Sequence, residues 1–248
     1  MTSGVERRSA GPSFLGEPVA GSPAVVSVGR PPWWALLLAA LITVVVTVDV
    51  LGRGVTERID VRVSDWVAEW DLRDSAAYPP LWVVTQIGGR GTMLVVLAGL
   101  IIWLAVRRHT LLPLPRVLVA LLLLSVTVYS VKWGIGRTAP GHAGLYLHHE
   151  EGASYPSGHV ANAVLLWGVA RWQAVQFGMP PTAQRVLWGL AVIGPVVCAL
   201  AMIALDFHWF SDAVVGAALG VLLLGVVHAL DALILSRWVR VRAGRPLA

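Results

Sequence analysis

Residues 155–168 read YPSGHVANAVLLWG and place a turn, a histidine and an apolar run in direct succession. The Pro156-Ser157-Gly158 turn stands where a helix would begin, and serine is a common capping residue at such a position. A helix that starts here has free backbone N–H groups at its outer end, where the helix dipole adds positive potential. The stretch therefore predicts a buried helix whose first turn, with Ser157, Gly158 and His159, can bind an anion.

The composition around this stretch is that of an integral membrane protein. Hydrophobic residues make up 56% of the 248 residues and charged residues only 13%, and the mean hydropathy is +0.71. The charges lie in short stretches between long apolar runs, whereas a soluble domain needs a charged surface. The net charge of +5 comes almost wholly from arginine, and we expect no nucleic acid as a partner. The single cysteine, Cys198, lies within an apolar run, which excludes a disulfide framework and a cysteine metal site.

Six apolar runs approach the length of about 20 residues that a membrane-spanning helix needs. They cover residues 33–51, 91–106, 117–135, 157–169, 186–205 and 213–235, and no strand pattern accompanies them. The expected fold class is therefore all-α, a polytopic membrane protein with about six transmembrane helices. Residues 1–30 are expected to form a disordered cytoplasmic tail, residues 31–236 the membrane domain, and residues 237–248 a basic cytoplasmic tail. Within the polar, mixed-charge residues 53–80, the stretch VSDWVAEWDL at residues 63–72 predicts a short amphipathic segment on the membrane surface.

The positions of the arginines predict the orientation of the chain. With six spans, most arginines fall on one side, which the positive-inside rule makes cytoplasmic. They include Arg7, Arg8, Arg30, Arg107, Arg108, Arg116, Arg171 and Arg185 and the arginines of the C-terminal tail. Both termini are then expected in the cytoplasm. The polar residues that could carry chemistry gather on the opposite, extracytoplasmic face.

Two further groups of polar residues lie at outer helix ends. Lys132 is the only lysine in the chain and stands at the end of the third span. A cation at the edge of hydrocarbon usually has a partner or a function, the alternative being a side chain that snorkels to the headgroups. His208 and Asp212 are four residues apart, so that the carboxylate can accept a hydrogen bond from the imidazole and raise the basicity of its other nitrogen. This arrangement suits a nucleophile or a base, although Asp212 could also be a plain helix cap.

Taken in order, these residues resemble a known family. Lys132, the PSGH sequence at residues 156–159 and His208-x-x-x-Asp212 are similar to KxxxxxxRP, PSGH and SRxxxxxHxxxD. These are the signature motifs of the type 2 phosphatidic acid phosphatase and vanadium haloperoxidase superfamily. The resemblance covers about the C-terminal half of the chain, and the six-helix plan is similar to that of bacterial membrane members. It implies a helical-bundle phosphatase core with its motifs in residues 132–212.

The resemblance also implies a mechanism that needs no metal and no other cofactor. His208 would attack phosphorus and form a phosphohistidine, Asp212 would orient His208, and His159 would protonate the leaving oxygen. The implied substrate-binding groups, which hold the nonbridging oxygens, are Lys132, Ser157 and Gly158.

The sequence departs from the motifs at two arginine positions. The arginine of KxxxxxxRP is replaced by Ala139, and that of the third motif by Met202. Neither side chain can make the bidentate contacts of a guanidinium. Arg137, two residues before the first vacant position, is therefore expected to bind substrate in its place, with Arg90 as a second candidate.

The expected function is hydrolysis of a lipid phosphate or diphosphate, of the phosphatidate or polyprenyl diphosphate type, on the extracytoplasmic face. The expected partners are this substrate and the bilayer; the sequence does not fix an oligomeric state. Two alternatives stay open: a lipid-linked phosphotransferase, and a non-catalytic lipid-phosphate-binding or transport protein, because both motif arginines are missing.

Several acidic and histidine residues outside the motifs have simpler interpretations. The HHEEGASY loop at residues 148–155 predicts a solvated lid that touches substrate, because adjacent ligands in a glycine-containing loop seldom converge on one ion. Asp49 and Asp231, at or within spans, are expected to form helix–helix hydrogen bonds. Asp206 is close enough in sequence to His208 to perturb it.

Overall fold

The structure is a computed structural model that describes residues 29–141, 147–150 and 152–242, with side chains as far as residue 234. Its regular elements in these ranges are nine α-helices and one short 3₁₀ helix. The all-α fold class is therefore confirmed. The disordered tail expected at the N-terminus lies, up to residue 28, outside the described residues, as does the end of the basic tail from residue 243.

The helices follow one another through short connections, except for the long segment between α5 and α6. They are α1 (Trp33–Leu51), α2 (Val55–Ala68), the 3₁₀ helix (Leu72–Asp74), α3 (Tyr78–Thr85), α4 (Arg90–Arg108), α5 (Pro113–Ile135), α6 (Gly158–Gln176), α7 (Pro181–Val192), α8 (Gly194–Ala204) and α9 (Phe210–Arg242). The predicted spans correspond to α1, α4, α5, α6, the pair α7 and α8, and α9. The last helix continues past residue 235, where the sixth span was expected to end.

Four helices in the described part of the chain are long and apolar enough to cross a membrane. They are α1, α4, α5 and residues Phe210–Ile234 of α9. The fifth predicted span is not one straight helix, because α7 and α8 are bent by 41° at their junction. Pro195, in the first turn of α8, explains the break, since proline cannot donate a helical hydrogen bond. Counted as one span, this pair is the fifth.

The fourth predicted span, α6, does not meet the same criterion. It contains polar side chains such as Asn162 and Gln173, yet most of its 19 residues are buried. The reason is its central position, in contact with α4, α5, α7, α8 and α9. A helix enclosed by protein does not need a fully apolar surface.

Small residues let α9 approach α6 closely. A Cβ atom on Gly220 would lie 2.6 Å from the Cβ atom of Val164, and one on Gly168 would lie 2.7 Å from a methyl carbon of Leu224. The Val164 Cβ atom cannot move without its backbone, so only glycine fits at position 220, whereas at position 168 a larger residue would require the Leu224 side chain to shift. Such contacts are typical of tightly packed membrane helices. They hold α9 close against α6.

The segment between α1 and α4 is more structured than the sequence predicted. Instead of one surface helix it contains α2, the 3₁₀ helix and α3. Asp49, at the end of α1, accepts hydrogen bonds from the backbone N–H groups of Val55 (3.2 Å) and Thr56 (2.6 Å), so it caps α2. The expected bond between two spans is found instead at Asp231, whose carboxylate binds Arg116 of α5 at 2.6 and 2.9 Å.

Candidate active site

The histidine–carboxylate pair that the sequence predicted lies at the start of α9, with His208 two residues before the helix and Asp212 in its first turn. His208 Nδ1 lies 3.3 Å from Asp212 Oδ2. The carboxylate is fully buried, whereas 10% of the histidine side chain is exposed. Because Nδ1 faces the carboxylate, Nε2 is the ring nitrogen left to react with an electrophile.

Ser154 is bonded to both members of this pair, and the sequence analysis missed it. Its Oγ atom donates to Asp212 Oδ2 and lies 3.2 Å from His208 Nδ1. The backbone N–H of Trp209 donates to the same carboxylate oxygen at 3.2 Å. The histidine and its carboxylate are thus held in one orientation by groups from two loops. Nothing in the local pattern distinguishes Ser154 from other hydroxyl groups near a helix start, so its role depends on the tertiary contact.

Arg137 lies on the buried side of the same carboxylate. Its Nη1 atom donates to Asp212 Oδ1 and to Ser211 Oγ, both at 2.7 Å, and its Nη2 atom donates to Asp60 Oδ2 at 2.7 Å. The arginine side chain is only 1% exposed. Its guanidinium therefore bonds two carboxylates and a serine, in a place that is not suited to direct contact with a substrate phosphate.

Asp60 is the second carboxylate of this buried network and was also missed. Besides Arg137 it binds Ser211, accepting from the backbone N–H at 2.8 Å and from the hydroxyl at 2.5 Å. It lies on α2, which the sequence analysis treated as a surface segment. A signal was available: Asp60 and Val67 are seven residues apart and thus on one helix face, and both are buried.

The first turn of α6 is fastened directly to α9. The backbone N–H of Ser157 donates to the carbonyl of Asp212 at 2.9 Å, and Ser157 Oγ caps α6 by accepting from Val160 N–H at 3.5 Å. Gly216 makes the contact possible, because a Cβ atom there would lie 2.5 Å from the Ser157 carbonyl oxygen. The predicted turn and the predicted histidine–carboxylate pair are therefore neighbours.

Cationic groups surround the accessible side of the site. His159 and Lys132 are half-buried. Charge interactions connect His159 with His208, Lys132 and Arg90, and they connect Lys132 with Asp212. Lys132 Nζ also donates to the carbonyl of Ala153 in the preceding loop. The sequence-predicted residues thus converge at one end of the helix bundle.

The HHEEGASY loop is tied to the end of α5. Backbone N–H groups of His148, His149 and Ser154 donate to the carbonyls of Ile135 (2.8 Å), Gly136 (2.9 Å) and Arg137 (2.9 Å). The part of the predicted lid that the structure describes is thus bonded to the site, while residue 151 lies outside it. Among the described residues, no group of three or more His, Cys, Asp or Glu side chains is placed to hold a metal ion.

The connection between α8 and α9 is fixed by residues from the α2 region. Arg73 donates to the carbonyls of Leu205 (2.6 Å) and Asp206 (2.5 Å). Ser64 donates to the Asp206 carboxylate at 2.8 Å. Asp206, predicted as a neighbour of His208, has a left-handed φ of 52° and uses its carboxylate on Ser64. These contacts set the backbone that carries His208 into the site.

An apolar groove borders the site between α1, α5 and α9. Its volume is about 360 Å³, and it is lined by Thr43, Val44, Thr47, Val48, Val131, Tyr155, Val215 and Leu219. The lining residue Tyr155 also contacts its neighbours: its hydroxyl lies 2.7 Å from Thr47 Oγ1 and its ring lies 5.9 Å from the Arg137 guanidinium carbon. Burial raises the pKa of the Tyr155 phenol to about 12, so it stays neutral at physiological pH. The groove therefore connects an apolar space to the charged network.

Two comparisons with known proteins found similarity to this chain. Residues 113–233 match the model of the PAP2 superfamily, a range that contains every motif residue from Lys132 to Asp212. The chain is also similar to the crystal structure of the first transmembrane PAP2 type phosphatidylglycerolphosphate phosphatase from Bacillus subtilis. The TM-score is 0.65 at 21% sequence identity, and the match covers 81% of this chain and 96% of that one. No curated protein sequence matches the chain. At this identity the structural likeness concerns the fold.

Proposed function

We propose, from the PAP2 domain that residues 113–233 carry, that this membrane protein is a phosphatase acting on a lipid phosphate or diphosphate through a phosphohistidine. The observation that carries the proposal is the His208–Asp212 pair, 3.3 Å apart, with the partly exposed histidine on the open side. Substrates of the phosphatidate or polyprenyl diphosphate type fit this site.

The first step is attack by His208 Nε2 on phosphorus. A new N–P bond forms while the bond from phosphorus to the leaving oxygen breaks. Asp212, held by Ser154, keeps a proton on Nδ1 and balances the positive charge that develops on the ring. His159 donates its proton to the leaving oxygen, which departs as the lipid alcohol or lipid monophosphate.

The second step returns the enzyme to its starting state. His159, now neutral, takes a proton from water, and the water oxygen attacks the phosphohistidine. The N–P bond breaks and inorganic phosphate leaves. Lys132 and the backbone N–H of Gly158 are the proposed ligands of the nonbridging oxygens as negative charge builds up. Ser157 supports them through its cap on α6.

Arg137 has a different role in this proposal from the one expected from the sequence. Because its guanidinium bonds Asp60 and Asp212, it is a positioning residue that holds the Asp212 carboxylate. The direct phosphate contact expected of Arg137 is withdrawn.

Two features support a lipid substrate and an extracytoplasmic site. The apolar groove that Tyr155 lines is of a size and character suited to part of an acyl or prenyl chain. The arginines at the start of α5 and the end of α4 lie at the opposite end of the bundle, where Arg116 binds Asp231 and Arg108 binds the carbonyl of Gly178. The positive-inside rule then assigns that opposite end to the cytoplasm.

One observation favours a second function, a lipid-phosphate-binding protein without turnover. The motif arginines are replaced by Ala139 and by Met202, which is 3% exposed within α8. Without a guanidinium at either position, the site could bind a phosphate group too weakly in the transition state to catalyse hydrolysis.

The experiment is release of inorganic phosphate by the detergent-purified protein. The panel contains phosphatidate, phosphatidylglycerol phosphate, and polyprenyl phosphates and diphosphates, each tested with and without a chelator. We expect chelator-resistant turnover of at least one substrate and its loss in His208→Ala. His109→Ala is the matched control, because His109 is exposed at the far end of α4 and should leave turnover unchanged.

The phosphoenzyme provides an independent measurement. Rapid quenching with a radiolabelled substrate should trap an acid-labile, base-stable phosphate on the wild-type protein and on the His109→Ala control, and none on His208→Ala. Absence of turnover across the whole panel, together with retained lipid-phosphate binding, would favour the binding-protein alternative.

A further inference from the structure

We infer that Arg90, at the start of α4, is the cation that binds the substrate phosphate together with Lys132, in place of the two missing motif arginines. The inference rests on the proposed function for its substrate class, a phosphate group on a lipid. It assigns a substrate-binding role to a residue outside all three motifs.

The need for another cation follows from three positions. Ala139 and Met202 have no charge, and Arg137 is bonded to Asp60 and Asp212 with 1% of its side chain exposed. Lys132 is therefore the only lysine or arginine of the three motifs that remains to bind a phosphoryl group at His208. One ammonium group is a point charge, whereas two nonbridging oxygens are best held by a planar guanidinium.

The start of α4 lies directly against the start of α6. Gly88 is so close to the carbonyl of His159 that a Cβ atom on it would overlap the oxygen. Asn162 Nδ2 donates to the carbonyl of Gly88 at 2.9 Å. Arg90, two residues further along, is thus fixed beside the proposed general acid by backbone contacts.

A contact with α5 orients the side chain of Arg90. Its guanidinium carbon lies 5.4 Å from the centre of the Tyr129 ring, a cation–π contact. Tyr129 and Lys132 are three residues apart on α5 and therefore share one helix face. Stacking on Tyr129 brings the guanidinium to the same side of the site as the Lys132 ammonium group.

The charge of Arg90 is available for a ligand. Among the described residues, none of the ion pairs involves Arg90, and it is half-buried. Its charge acts on His159, as does that of Lys132. A phosphate dianion would neutralise this concentration of positive groups, and an aromatic stack leaves the guanidinium N–H edge free to donate.

The test compares Arg90→Gln and Arg90→Lys with Arg107→Gln. Arg107 is exposed at the opposite end of the same helix and serves as the matched control. We expect Arg90→Gln to lower kcat/KM about 100-fold, as removal of one donor to a developing oxyanion does. The kcat/KM of Arg90→Lys should lie between those of Arg90→Gln and the wild type, because lysine keeps the positive charge but lacks the two parallel N–H donors of the guanidinium. Thermal unfolding of each variant checks that it is folded.

Inorganic phosphate binding, measured by calorimetry on the detergent-purified protein, makes the test independent of turnover. Arg90→Gln should weaken binding at least tenfold while Arg107→Gln does not. Tyr129→Leu should weaken binding in the wild-type background and have no further effect in Arg90→Gln. Unchanged phosphate binding in Arg90→Gln overturns the inference.

The two proposals fail in distinguishable ways. His208-dependent turnover that Arg90→Gln leaves intact would keep the phosphatase and reject Arg90 as its ligand. No turnover in the wild type, with phosphate binding that is lost in Arg90→Gln, would reject hydrolysis and keep the phosphate ligand. No phosphate binding by the wild-type protein overturns the role of Arg90 as well.

Discussion

Arg137 and Asp60 form an ion pair with an N–O distance of 2.7 Å, although 77 residues separate them in the sequence. Both side chains are almost completely buried, at 1% and 0% exposure. The same guanidinium binds Asp212 on its other side. A helix outside the range that matches the PAP2 superfamily, α2, is thereby joined through one arginine to the carboxylate of the His208–Asp212 pair.

Arg137→Met should be strongly destabilising. It leaves the carboxylates of Asp60 and Asp212 buried without a cation, and loss of one partner of a buried pair costs about 3–5 kcal/mol. Unfolding by heat or denaturant in detergent measures the change. Arg53→Ala is the control, because the Arg53–Glu57 pair is solvent-exposed and should contribute less than about 1 kcal/mol.

The companion variant separates charge from packing. Asp60→Asn removes one of the two negative charges that face the Arg137 guanidinium and keeps the shape of the side chain. In the Arg137→Met background it should recover part of the lost stability, because one unpaired carboxylate is then absent. Equal stability of Arg137→Met and wild type would contradict the buried network.

Ser154→Ala should slow the chemical step without weakening substrate binding. The variant removes a hydrogen bond to a charged carboxylate, which contributes about 1.5–3 kcal/mol. With His208 less firmly oriented, we expect kcat to fall about 10- to 100-fold while KM changes little. Ser75→Ala, which removes an exposed hydroxyl that bonds only to its own turn, is the control. A rise in KM at constant kcat would instead indicate that Ser154 contacts substrate.

Gly216→Ala should damage both stability and activity. The new Cβ atom would lie 2.5 Å from the Ser157 carbonyl oxygen, so α9 must move away from the first turn of α6. Overpacking of this kind costs about 1–3 kcal/mol. Gly99→Ala in α4 is the matched control, since its Cβ atom meets nothing within 4 Å and should be tolerated. Melting temperature and kcat, measured on both variants, should fall for Gly216→Ala alone.

Arg116→Ala should lower stability and leave catalysis unchanged. Arg116 binds Asp231 through two nitrogens and stacks on Trp172 with its guanidinium carbon 4.4 Å from the ring centre, at the opposite end of the bundle from His208. Truncation leaves Asp231 without its partner and removes packing on the ring. We expect a lower melting temperature. At temperatures where the variant is still folded, its kcat should equal that of the wild type. A large loss of kcat in fully folded protein would show that the two ends of the bundle are coupled.

The residues that the sequence predicted share one property. They lie at helix ends, and each belongs to a motif that can be recognised from neighbouring residues in the sequence. They are Lys132, His159, His208 and Asp212. Short spacing is enough to predict that His208 and Asp212 meet, because a helix brings residues four apart to one face.

The residues that the sequence missed are those whose role depends on distant partners. Asp60 meets Ser211 across 151 positions, and Ser154 meets Asp212 across 58. In sequence, Asp60 lies among charged residues that favour a solvated face, so only its spacing from Val67 hinted at burial. The bend between α7 and α8 was missed because average hydropathy passes smoothly over Gly194 and Pro195, although proline marks the break.

The end of α3 and the turn that leads to α4 are bonded to other helices through three carbonyl groups within four residues. Cys198 donates to the carbonyl of Thr85 at 3.6 Å, Trp167 to that of Ile87 at 2.9 Å and Asn162 to that of Gly88 at 2.9 Å. The length of this turn therefore determines how α4 is oriented relative to the site. A single inserted residue would rotate α4 by about 100° relative to these anchors and carry the Arg90 side chain away from α5, with every reactive group still present.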